Sequence, residues 1–239
     1  MQLLLISSST VHGSGYLDHA ETEIRDFLGA DLKRVLFVPF AIHNHEAYAA
    51  SAQQRFAKMG YELSSIHTAT NPKQVVKYAE AIFIGGGNTF RLLKALYDLD
   101  LIEPIRRRVA EGMPYIGSSA GSNIAAPTIK TTNDMPIVEP PSFDALNLIW
   151  FQINPHYLDA DLNSTHMGET REQRLLQFHE ENSTPVAAIR EGAILRIENG
   201  VTMLKGSSGA RIFRHGLEPV ETVPGDQLDA LLQLAPPTA

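Results

Sequence analysis

Short apolar runs recur through the first half of this chain, each followed by an amphipathic segment and a turn. Residues 2–7, 34–40, 62–67, 81–85 and 114–118 read as buried strands. Between them, 16–28 places Leu17, Ala20, Ile24, Phe27 and Leu28 on one helical face closed by Gly29. A helix over 46–59 stops at Gly60, Asn71-Pro72 starts another over 73–79, and two more run to about Leu96 and over 101–111. Strands and helices in this alternation build βαβ units, so the fold class is α/β, with a mostly parallel sheet flanked by helices. Ligands in such sheets bind beyond the carboxyl ends of the strands, which directs attention to the loops that follow them.

The later part is less regular. A long loop covers 127–147, a strand lies near 149–154 and a helix near 169–179. Asn199-Gly200 between AILRI and VTMLK is a hairpin signal. There is no internal repeat, low-complexity stretch or linker, so residues 1–239 read as one domain, with 235–239 as a frayed tail.

Composition then narrows the chemistry. The 239 residues include no cysteine, which excludes disulfides, thiolate nucleophiles and Cys-ligated zinc or iron–sulfur centres. Lys and Arg number 20 against 27 Asp and Glu, a formal charge of −7 that argues against nucleic acid or an anionic membrane as partner. No apolar run reaches the roughly 18–20 residues needed to span a bilayer. MQLLLISSST lacks a basic start and reads as a buried strand rather than a leader, so the cytoplasm is the expected compartment.

Gly117-Ser118-Ser119-Ala120-Gly121 follows the apolar run PYI and precedes SNIAA. This is G-x-S-x-G between a strand and a helix, a turn that presents a hydroxyl and leaves helix N–H groups to hold an oxyanion. The spacing selects Ser119 as nucleophile and the Ala120 N–H as one oxyanion donor. Gly85-Gly86-Gly87-Asn88-Thr89 follows another strand. It lacks both the Walker and the dinucleotide patterns, so Gly86 and Gly87 are read as supplying the second oxyanion N–H. A bare strand-to-helix turn capped by Asn88 or Thr89 is the plainer use of the same residues.

A serine nucleophile needs a base oriented by an acid. Of nine histidines, His156 in Asn154-Pro155-His156-Tyr157 is set just beyond an apolar run. His43 and His45 with Glu46 could make a metal pair, but no third ligand is identifiable. His12, His19, His67, His166, His179 and His215 read as surface or capping residues. Asp134 in Asn133-Asp134-Met135-Pro136 and Glu191 in Arg190-Glu191-Gly192 are both placed to orient an imidazole, and spacing does not choose between them.

Taken in order, LLLISSST, GGGNTFRLLK, YIGSSAGSN, TIKTTNDMPIV, FDALNL, QINPHY and GETREQR resemble the peptidase E, or α-aspartyl dipeptidase, family of serine peptidases. The resemblance implies a metal-free, cofactor-free hydrolase that removes N-terminal Asp from dipeptides through an aspartyl-enzyme. It also implies a glutamine-amidotransferase-like, flavodoxin-like three-layer fold. Matching segments assign Ser119 as nucleophile and His156 as base, with Asp134 and Glu191 both retained for the third role. The family often has an aromatic before its serine, where this chain has Ser118. An Asp side chain requires a cation, and Arg171 in Gly168-Glu169-Thr170-Arg171 suits it because guanidinium pairs a carboxylate through two parallel hydrogen bonds. Glu169 is a candidate for the substrate's α-ammonium and Asn88 for a further substrate contact. Two rival readings are an α/β-hydrolase-type esterase, with His215 as its late histidine, and a small-molecule-binding protein on the same scaffold.

Overall fold

A seven-stranded sheet forms the frame of the computed structural model, which describes residues 1–161, 163, 165 and 167–233. Its parallel part runs, in spatial order, β3 (Glu62–Ser65), β2 (Arg34–Val38), β4 (Ala81–Ile84), β5 (Tyr115–Ser118) and β1 (Gln2–Ile6). Beyond β1 the sheet continues with antiparallel β8 (Ala193–Glu198) and β9 (Val201–Gly206), joined by the expected turn at Asn199-Gly200, both residues at positive φ. The parallel strands inside β3 are buried on both faces, which is why they read as largely apolar runs, whereas β3 at the edge alternates between exposed and buried.

Successive side chains point to opposite faces. Leu4, Ile6, Val35, Phe37 and Phe83 meet α1 (Glu21–Leu28) and α2 (His45–Lys58) through Ile24, Phe27 and Phe56. Leu3, Leu5, Leu36, Val38, Ile82 and Ile84 meet α3 (Pro72–Tyr78), α4 (Thr89–Asp98) and α5 (Ile102–Ala110) through Val76, Leu92, Leu93 and Ile105. The chain travels outward from β1 to β3 and returns through β4 to β5, so the carboxyl ends of the parallel strands share one edge.

The second half departs from the expected single, mostly parallel sheet. A separate four-stranded sheet contains β6 (Gln152–Tyr157), β7 (Val186–Arg190), β10 (Ala210–Arg214) and β11 (Leu217–Thr222), in the order β11-β10-β7-β6. Strands β6 and β7 are parallel, linked by the crossover helix α7 (Arg171–Glu181), whereas β10 pairs antiparallel with both neighbours. Ile153, Ala187, Ile189 and Ile212 on its inner face join the core under α4 and α5. Val186, Ala188 and Phe213 on its outer face are covered by Leu175 of α7.

Smaller differences have local causes. The helix expected over 16–28 begins at Glu21, because Leu17 adopts a left-handed backbone (φ 56°) before a 3-10 turn over Asp18–Ala20. The strand expected over 62–67 ends at Ser65 and passes into a 3-10 turn over Ile66–Thr68. The expected tail 235–239 and His166 lie outside the described residues.

At the end of α7 the His179 ring is buried, and its Nδ1 donates to the Asn182 carbonyl at 3.0 Å. Burial pushes its pKa below the ordinary histidine value and the neighbouring His215 adds to this, while contacts with the Asn182 and Phe213 backbones oppose it. A histidine held neutral by folding binds its proton more readily when unfolded, so its stability contribution is complete above about pH 6.5 and is lost as pH falls towards the folded value. Thermal melts of His179→Gln should therefore show a shallower loss of Tm than the parent between neutral and mildly acidic pH.

Candidate active site

Ser119 sits between β5 and a single helical turn, α6 (Ala120–Asn123), with φ 54° and ψ −111°. Such a backbone costs a non-glycine residue about 1–3 kcal/mol and persists only when its surroundings over-determine it. Here the Ser119 N–H donates to the Ile6 carbonyl at 2.9 Å, and its own carbonyl accepts from the Ser122 and Asn123 N–H groups, each at 2.9 Å. The Ser122 hydroxyl lies 2.7 Å from the same Ile6 carbonyl. Close approach explains two glycines. A Cβ on Gly121 would collide with the Ile84 carbonyl, and one on Gly86 would lie 2.9 Å from the Ser119 Cβ.

His156 lies within β6 rather than in a loop beyond it. The pairing of β6 with β7 shifts register between Pro155 and Tyr157, and His156 takes φ 53°. A bulge of this kind re-aims a side chain. The imidazole Nε2 comes to 2.8 Å from Ser119 Oγ, and Nδ1 lies 2.9 Å from Glu191 Oε1. Glu191 occupies the turn where the chain leaves β7 in the small sheet for β8 in the large one. Beside it, Arg190 holds Asp159 through two hydrogen bonds of 2.7 and 2.8 Å, reaches Glu221 at 3.0 Å, and stacks over the Tyr157 ring. The guanidinium holds the Asp159 carboxyl below its ordinary range.

Asp134 is brought near the same place by the irregular segment 127–147, but it bonds elsewhere. Its Oδ2 accepts the Thr89 N–H at 2.7 Å and the Thr89 hydroxyl at 2.6 Å. The segment is pinned to β6: the Thr131 hydroxyl donates to the Ile153 carbonyl and the Asn133 amide to the Pro155 carbonyl, both at 2.7 Å. A cavity of about 20 Å³ remains between Thr89, Ser119, Asn133, Asp134 and His156.

Among the described residues, neither the Gly87 nor the Ala120 N–H is taken by a protein acceptor. The Gly86 backbone instead contacts the hydroxyl of Tyr48, whose pKa is raised by burial. Asn88 uses both ends of its amide: Oδ1 accepts the Arg91 N–H to cap α4, and Nδ2 donates to the Met135 carbonyl. Arg171 is half-buried at the start of α7 and lines a cleft of about 370 Å³ with Glu169, Asp159 and Arg174. Burial lowers its pKa and Arg174 lowers it further, while the charge of Asp134 opposes this. Among the described residues Arg171 makes no ion pair. Glu169 accepts from the Gln177 amide at 2.8 Å.

The remaining histidines lie elsewhere. Glu46 pairs with His67 at 3.0 Å rather than with His43 or His45, and no group of three or more His, Asp or Glu among the described residues could hold a metal ion. His215 donates to the His179 carbonyl at 2.6 Å. His19 is pushed below its ordinary range by burial, against the opposing charge of Asp18. A cleft of about 440 Å³ lies by Arg34, Tyr78 and Glu80, away from Ser119.

A mixed α/β scaffold of sheets flanked by helices, presenting a serine hydroxyl on a strained turn against an imidazole, is the setting of a serine hydrolase. The chain belongs to peptidase family S51, which residues 3–204 match, and is a serine peptidase. It is 50% identical to a Streptomyces coelicolor protein named peptidase E, over 98% of this chain and 96% of that one. It is 46% identical to a Drosophila melanogaster protein named "Probable alpha-aspartyl dipeptidase", over 97% of each chain. Among solved structures, a Listeria monocytogenes EGD-e chain assigned to peptidase E superposes with a TM-score of 0.66 at 25% identity, covering 87% of this chain and 98% of that one. A peptidase from an acI-B1 actinobacterium, at 19% identity and 95% coverage of both chains, shares the fold with a TM-score of 0.70. Among the described residues no helix is long and apolar enough to cross a membrane.

Proposed function

We propose that this chain hydrolyses dipeptides with an N-terminal aspartate, through an ester between the aspartyl group and Ser119. The observation that carries this reading is the hydrogen-bonded chain from Ser119 Oγ to His156 Nε2 at 2.8 Å and from His156 Nδ1 to Glu191 Oε1 at 2.9 Å. With its Nδ1 proton directed to the carboxylate, His156 has a free lone pair on Nε2 for the hydroxyl proton. Ser119 Oγ attacks the scissile carbonyl, and the oxyanion receives the Ala120 and Gly87 N–H groups, while Gly86 provides room for their approach. His156 then gives the proton to the leaving amine. It next takes a proton from water, which attacks the ester, and returns that proton to Ser119 as aspartate departs.

Arg171 is assigned to the aspartate side chain and Glu169, on the rim of the same cleft, to the α-ammonium. Asn88 contributes through the loop it fastens to Met135. The Drosophila relative's name supports the aspartyl preference. A strained elbow beside a glycine-rich loop accords with the amidotransferase-like architecture that the family resemblance implies, with both sheets serving one catalytic domain. A dipeptide panel of Asp-Leu, Glu-Leu, Asn-Leu and Leu-Leu, run with and without chelator, tests the proposal. Strong preference for Asp-Leu, unchanged by chelation, is expected, and comparable turnover of all four would refute it.

The two carboxylates separate by role. Glu191→Gln should lower kcat about 10²- to 10⁴-fold on Asp-Leu and Asn-Leu alike, because it disturbs the orientation of the base. Asp134→Asn should instead change the ratio of the two rates, because its charge acts on Arg171. Steady-state kinetics of both variants on both substrates check this assignment.

A further inference from the structure

Ser7 follows β1 directly, is fully buried, and takes no part in the chemistry above. Its hydroxyl donates to the Ile189 carbonyl in β7 at 2.9 Å and accepts the His156 N–H at 3.0 Å. The Ser7 N–H donates to the Ala193 carbonyl at 3.0 Å. The preceding residue, Ile6, accepts the Ser119 N–H. Two consecutive residues at the end of one strand therefore hold the backbones of Ser119 and His156, which belong to different sheets.

A bulge residue loses its place in the strand ladder, so its N–H needs another acceptor. The Ser7 hydroxyl supplies one, and its donation to Ile189 fixes the direction in which its lone pair points. We infer that Ser7 is a positioning residue for the reaction: through the His156 backbone it sets the imidazole against Ser119, without touching substrate. The inference rests on the reading of Ser119 and His156 as nucleophile and base. Without the hydroxyl, the N–H of a positive-φ residue is left unpaired, and the bulge can relax towards an ordinary strand, carrying the ring away from Ser119. A displacement of about 1 Å at a reacting group can cost about 100-fold in rate.

The test compares Ser7→Ala with the parent in Asp-Leu kinetics, circular dichroism, and proton NMR of the hydrogen-bonded His156 Nδ1 proton. We expect kcat to fall about 10- to 100-fold with KM within about threefold, and the imidazole resonance to shift or broaden while secondary structure is kept. A folded variant with unchanged kcat and an unchanged resonance overturns the role, as does a change confined to KM. If Ser7→Ala does not fold, Ser7→Cys, close in size but poor as donor and acceptor, is read by the same criteria. Failure of both to fold makes Ser7 purely architectural and also overturns the inference. Full activity of Ser119→Ala would strike down the underlying reading instead, and the resonance reports on Ser7 without requiring turnover.

Discussion

Ser119→Ala should lower kcat/KM for Asp-Leu by about 10⁴-fold or more, leaving a small residual rate from the oxyanion donors and binding contacts. The substitution removes the only atom of this residue that reaches His156 Nε2, at 2.8 Å. It should disturb little else, because the Ser119 backbone bonds to Ile6, Ser122 and Asn123 involve no side-chain atom. The left-handed backbone is no easier for alanine than for serine, so stability should stay close to that of the parent. A single-turnover assay combined with fluorophosphonate labelling checks both halves. The parent should label at Ser119 and the variant should not. Near-parental cleavage by folded Ser119→Ala would end the proposed mechanism.

Arg171→Ala should cost about 10- to 150-fold in kcat/KM on Asp-Leu, the range spanned by losing about 1.5–3 kcal/mol of hydrogen bonding to a charged group. The loss on Asn-Leu should be only a few-fold, since a neutral amide makes no ion pair with the guanidinium. The size of this effect follows from the surroundings of Arg171. It is half-buried, burial and Arg174 disfavour its charge more than Asp134 favours it, and among the described residues it has no ion-pair partner. A carboxylate arriving there relieves an existing electrostatic deficit. Arg171→Lys should recover only part of the loss, because an ammonium cannot reproduce the two parallel hydrogen bonds of a guanidinium. Equal losses on the two substrates would remove Arg171 from this role.

What could be read before folding follows from how local each feature is. The turn at Ser119 was legible because strand, small flanking residues and helix start lie within a few positions of one another, and the same holds for the Asn88 cap and the Asn199-Gly200 hairpin. His156 could be singled out by its place after an apolar run. The bulge that aims it is a relation between β6 and β7, strands separated by the whole of α7, and period-two patterning names no partner. The acids illustrate the same limit. Asp134 and Glu191 stand in similar turn-like contexts, and only the docking of the two sheets places Glu191 against the imidazole while Thr89 takes Asp134. The four-stranded sheet was missed for a related reason: half of β11 is exposed and half of it polar, and its pairing with β10 is not written in either segment alone. Ser7, one hydroxyl in a run of serines, has no local mark at all.

The passage of the chain from β7 into β8, through the turn that carries Glu191, has a consequence for the order in which the molecule is made. Ser119 leaves the ribosome with the parallel strands, whereas His156 follows later and Glu191 later still. The strand that returns next to β1 to complete the larger sheet comes directly after Glu191. Until that stretch has been synthesised and paired, Glu191 is not held against His156, and the hydrogen-bonded chain on which the proposed mechanism rests is incomplete.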